Sequence, residues 1–103
     1  MVHLKTRYVD EKVSFVCGWY HDGSMAIRAL SGYGEVVMTI TVCVDEPAPE
    51  GHIWVKSWSE NEGILEWLIE NGFVIDSDII RPVNFVNVHL CELTEKFTKL
   101  LLR

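Results

Sequence analysis

The sequence predicts an α+β fold. It consists of an antiparallel sheet of about six strands, one main helix over about residues 60–71 packed on one face, and a short C-terminal helix after Thr94. Three observations predict it. Residues 3–44 carry apolar side chains at period two, interrupted by Asp10-Glu11, Asp22-Gly23 and Gly32-Tyr33-Gly34. Residues 60–71 alone carry them strongly at helical spacing. The chain then returns to short β-like runs separated by turn residues. With 103 residues, 49% of them hydrophobic and 23% charged, it reads as a single domain over 1–103 with one modest core.

The elements follow in order. Residues 3–9 and 12–20 are β-rich, and Val13, Phe15, Cys17 and Trp19 fall on one face of the second run. His21-Asp22-Gly23-Ser24 predicts a tight hairpin with positive φ at both central positions. Residues 25–31 make the return strand. Residues 35–44 place Val36, Met38, Ile40, Val42 and Val44 on one face, with Thr39 and Thr41 on a wetter one. Pro47 and Pro49 make 45–51 a connection, because proline cannot sit inside a central strand. Residues 52–58 are extended. Ser59-Glu60-Asn61-Glu62 matches a capping box: the hydroxyl meets the third amide and the carboxylate reaches back. In the helix that follows, Ile64, Leu65, Trp67, Leu68 and Ile69 cover one face, and Glu62, Glu66 and Glu70 line the other. Gly72 supplies a left-handed stop. Residues 73–76 are a short strand, Asp76-Ser77-Asp78 a turn and 79–81 extended. Residues 83–91 form the last strand, with Val86, Val88 and Leu90 toward the core. The tail from Thr94 forms a helix through Phe97, Leu100 and Leu101.

The acidity is segregated. The whole chain carries 15 acids and 9 Lys or Arg, net −6. Residues 45–78 hold nine acids against Lys56 alone, net −8; residues 1–44 are neutral and 79–103 carry +2. Glu62, Glu66 and Glu70 stand at i, i+4, i+8 with no lysine between them, and each such pair costs about 0.2–0.5 kcal/mol on an exposed helix. Glu70 also lies at the end of the helix where negative charge is unfavourable. Two readings fit: a solubilising face, or a docking surface for a basic partner whose approach the field would speed. Trp54 and Trp58, on the strand face of Lys56, are either core residues or interface anchors.

Other classes fit less well. A net-acidic chain is a poor ligand for phosphate backbones, so direct nucleic-acid binding is not expected. No apolar run approaches the ~20 residues of a membrane span. Met1-Val2-His3-Leu4-Lys5 has no apolar signal region, and Cys17, Cys43 and Cys91 lie unpaired in apolar runs. The expectation is a cytoplasmic protein with buried, reduced thiols. Cys17 and His21, with His89 and Cys91, could meet at a metal, but small core thiols are the simpler reading, so no metal or cofactor is expected. No phosphate loop, nucleophile elbow or zinc-protease helix occurs. Nothing indicates an enzyme.

The stretch Lys56-Ser57-Trp58-Ser59-Glu60-Asn61-Glu62-Gly63, followed by Ile64-Leu65 and later by Pro82-Val83-Asn84-Phe85-Val86, resembles a family of small uncharacterised proteins carried by bacteria, phages and plasmids. That family is similar to type II-A anti-CRISPR inhibitors of Cas9. The resemblance covers roughly residues 3–92; the helix-start motif is the specific part, and the tail is additional to it. It implies stoichiometric, salt-sensitive binding to Cas9, or to another basic defence protein, in the cytoplasm of a bacterial host. The residues it points to are Glu60, Glu62, Glu66 and Glu70, with Asp76 and Asp78 nearby and Trp58 as apolar anchor. It carries no catalytic residues. Two alternatives stay open: a small-molecule or nucleotide-binding module of a mobile element unrelated to Cas9, and an assembly module that buries a strand edge in a homo-oligomer.

Overall fold

In the computed structural model, which describes residues 1–103, the period-two runs form two antiparallel sheets. β1 (Val2–Lys5), β2 (Asp10–Trp19), β3 (Met25–Leu30) and β4 (Val36–Thr39) make a four-stranded sheet in that order. β5 (His52–Val55), β6 (Val74–Val83) and β7 (Val86–Leu93) make a three-stranded sheet in the order β5-β7-β6. A 3₁₀ turn (Ser59–Asn61) and helix α1 (Ile64–Glu70) lie between β5 and β6, and α2 (Glu95–Leu100) follows β7. The α+β class, main helix and short C-terminal helix are as expected. The single six-stranded sheet is not.

The split has a local cause inside the run 35–44. Ile40 N–H donates to the Ile27 carbonyl at 2.9 Å, whereas its own carbonyl accepts from Lys56 N–H at 2.8 Å. Val42 N–H donates to Trp54 at 3.0 Å. Residues 40–42 therefore hand the chain from the edge of one sheet to the edge of the other. Thr41, expected on the wetter face, is buried. Its Oγ1 accepts from Ile27 N–H at 3.1 Å and meets the Tyr20 hydroxyl at 3.0 Å. A side chain that takes a strand amide replaces a backbone partner and ends the regular ladder.

Two hairpins share one geometry. Gly23 N–H donates to Tyr20 at 3.0 Å and Tyr20 N–H to Ser24 at 2.8 Å; Gly34 repeats this with Ser31 and Glu35. Only the glycine of each loop is left-handed. These are three-residue loops with a bulge at glycine, not the two-residue turn expected of Asp22-Gly23. β6 and β7 are joined at Asn84-Phe85, with Val83 opposite Val86. Asp76-Ser77-Asp78 is not a turn between strands: Asp76 opposes Cys91 and Ile79 opposes Leu90, so Ser77 and Asp78 bulge from a continuous β6. Pro82 fits because β6 is an edge strand.

The helix begins later than the capping box predicts. Ser59 is itself left-handed and makes no side-chain cap, and Glu62 is extended. Gly63, at φ 92°, turns the chain into α1; a side chain there would be strained. What overrides the local signal is Asn61. It is buried, and its Nδ2 donates to the carbonyls of Thr39 at 2.6 Å and Lys56 at 3.0 Å. These bonds clamp the helix entry onto the junction between the sheets. Asn61→Ala strands both carbonyls and is expected to lower the unfolding free energy by about 1–3 kcal/mol in urea titration; an unchanged midpoint would rule out the clamp.

The helix end follows the sequence. Phe73 N–H donates to Leu68 at 2.9 Å and Gly72 N–H to Ile69 at 3.0 Å, with Gly72 left-handed. This closure satisfies the last carbonyls and tucks Phe73 beneath the helix. Ile64, Leu65, Trp67 and Leu68 are buried, while Ile69, expected in the core, lies at the margin and is exposed. A seven-residue helix has little stability alone; this one is held by its apolar face in a 17-residue core with Phe15, Ile27 and Phe97. On the opposite face of the three-stranded sheet, Trp54, Val88 and Leu90 form a second small cluster covered by Val42, Val44, Ala48 and Trp58.

Candidate partner-binding surface

The predicted acids are dispersed across five settings. Glu60 accepts from Lys56 Nζ at 2.6 Å. That bond, with its own backbone N–H, holds the carboxyl below the ordinary range. Glu62 lies outside the helix and pairs with Arg7 at 3.0 Å, so the three-membered helical stripe is reduced to Glu66 and Glu70. Asp76 is largely withdrawn from solvent and meets His89 Nδ1 at 2.9 Å. Asp78 is exposed in the β6 bulge, where its N–H donates to Asp76 Oδ1 at 2.9 Å.

Glu66, Glu70 and Asp78 are thus the predicted acids that are exposed and make no ion pair. α1 packs against β6, so these three charges belong to adjoining elements. Glu66 and Glu70 repel across one helical turn, and only Glu66 is near the favourable helix start.

Trp58 is not a free anchor. It is half-buried against the Trp54–Val88–Leu90 cluster. Trp54 is buried, with its indole N–H donating to the Glu46 carbonyl at 2.8 Å. Glu46 also accepts from Arg81 Nε at 3.0 Å, which pins the 45–49 connection over this cluster. Exposed apolar side chains lie elsewhere: Trp19, Tyr33 and Val36 on the four-stranded sheet and its loops, and Ile75, Ile79 and Ile80 on β6 with Phe85 at the hairpin tip. For Ile79 and Ile80 the sequence predicts only that 79–81 is extended, and alternation over three residues does not say whether either face is covered. The available signal was the proline, which marks β6 as an edge.

The remaining chemistry-bearing residues are spread apart. Cys91 is buried, and desolvation followed by the Asp76 charge pushes its thiol up to about 12. Cys43, expected in a buried run, is exposed, with Sγ 3.6 Å from Asp22. No group of three or more His, Cys, Asp or Glu side chains is placed to hold a metal ion. Two open grooves of ≈ 300 Å³ mark the surface: one between Val2, Phe15 and Leu100, the other around the Glu46–Arg81 pair. No helix is long and apolar enough to cross a membrane. No protein-family model, no curated protein and no solved structure matches this chain.

Proposed function

We propose that this chain is a protein-binding inhibitor that acts stoichiometrically on a basic surface of a Cas9 effector in a bacterial host, without catalysis of its own. The observation that carries this reading is the segregated charge: net −8 over residues 45–78, with Glu66, Glu70 and Asp78 exposed and free of ion pairs on two adjoining elements. Cas9 holds its guide and target in strongly basic channels, and an acidic domain competes there by field and contact rather than by chemistry. The motif resemblance from Lys56 to Leu65 supports Cas9 as the target over other basic defence proteins. Glu60, Glu62 and Asp76 act on this reading through the field, since each has a cation or histidine beside it.

The test is a DNA-cleavage assay with type II-A Cas9. The protein is titrated against the assembled Cas9–guide complex and, separately, added before the guide. Stoichiometric inhibition in either order supports the reading, and a difference between orders locates the blocked step. Full cleavage at large excess and low salt with several such enzymes overturns it.

A further inference from the structure

We infer that the face of β6 bearing Ile75 and Ile79, on the side of the three-stranded sheet away from α1, is a second, apolar docking surface, and that it seats a cationic, amphipathic segment of a partner protein. This deepens the inhibitor reading and rests on it for the identity of the partner. Ile75 opposes Glu92, and Ile79 opposes Leu90, across the β6–β7 ladder. Both isoleucines therefore share the face of the Trp54–Leu90 cluster. The 42–48 connection covers that cluster and reaches β6 at Arg81 through Glu46, yet Ile75 stays 57% and Ile79 41% exposed. Contiguous exposed aliphatic side chains with a polar rim mark interaction sites.

The rim identifies the occupant. Glu92 stands beside Ile75, and Asp78 adjoins Ile79; both are exposed and neither makes an ion pair. The one cation of this strand, Arg81, is held by Glu46. The anchor is thus apolar at its centre and anionic around it, which matches lysine or arginine flanking aliphatic side chains. A second copy fits badly. It would bring Asp78 and Glu92 toward their own counterparts, and the Ser77–Asp78 bulge and Pro82 interrupt the ladder that edge pairing would extend. Contact is made by side chains, not by strand addition.

The test has two arms. In the first, the Ile75→Ser/Ile79→Ser protein is compared with wild type for Cas9 binding, after circular dichroism and thermal melting establish that it is folded. About tenfold or greater weakening is expected for loss of a central apolar anchor. Unchanged binding by a folded variant overturns the anchor while leaving the inhibitor reading standing. The second arm needs no Cas9. A twelve-residue peptide of alternating leucine and lysine is titrated into ¹³C-methyl-labelled protein. Saturable shifts of the Ile75 and Ile79 methyls, abolished by salt or by Glu92→Lys, are expected. Shifts confined to other methyls, or none, overturn the inference even if Cas9 proves not to be the target. Sedimentation showing a dimer that Ile79→Ser dissolves also overturns it, in favour of self-association.

Discussion

Phe97→Ala is expected to lower the unfolding free energy by about 3–5 kcal/mol, the usual cost of emptying a buried phenylalanine site. Phe97 comes from the tail, yet it is fully buried. Its ring stacks on Phe73 at 4.9 Å and meets Phe15 edge-on at 5.1 Å, and both of those rings pack on Trp67. One side chain thus joins β2, the helix α1 and its exit, and α2. The tail is positioned from both ends. Thr94 Oγ1 accepts from Phe97 N–H at 3.2 Å as helix cap, and Leu102 pairs with β2 through bonds to Phe15 and Cys17. For about 100 residues, a loss of this size moves the melting temperature by roughly 15–30 °C. Leu100→Ala, on the exposed side of the same helix, should stay within about 1 kcal/mol. Equal, small shifts for both substitutions would show that the tail is an appendage and not part of the core.

Local signals were read correctly where local physics decides the outcome. Gly72 stops α1 because backbone closure there involves only Leu68 to Phe73. α2 follows Thr94 as the sequence predicts; the Thr94 cap itself, not among the sequence expectations, needs only that side chain and the three following residues. The Ser59–Glu62 capping box was misread because a buried tertiary demand competes with it. Asn61 must reach carbonyls on Thr39 and Lys56, and a helix begun at residue 60 is given up for a left-handed Ser59 and Gly63. The same logic explains the divided sheet. Nothing in the alternation of 35–44 announces that Thr41 will take the Ile27 amide. For the candidate surface, composition located the acidic third of the chain. It did not separate Glu62, Glu60 and Asp76, which have partners, from Glu66, Glu70 and Asp78, which have none. Arg7 lies 55 residues from Glu62 in the chain, a pairing that only the tertiary fold creates.

That separation changes which charge reversal is informative. Reversing Glu62 would set a lysine against Arg7 and confound binding with folding. Glu66→Lys/Glu70→Lys disturbs no ion pair and should reduce Cas9 association at low salt about tenfold, mainly through the on-rate, with a flatter salt dependence than wild type. The single variant Glu70→Lys sharpens the argument, because stability and binding should move in opposite directions. It places a cation at the helix end that favours one and forms a Glu66-to-Lys pair one turn apart. Together these are worth about 0.5–1 kcal/mol at low ionic strength. A slightly raised melting temperature with weakened binding means that Glu70 is held against local stability by its partner. A raised melting temperature with binding untouched in both variants means that these acids only solvate the helix, and the acidic-surface mechanism is then wrong.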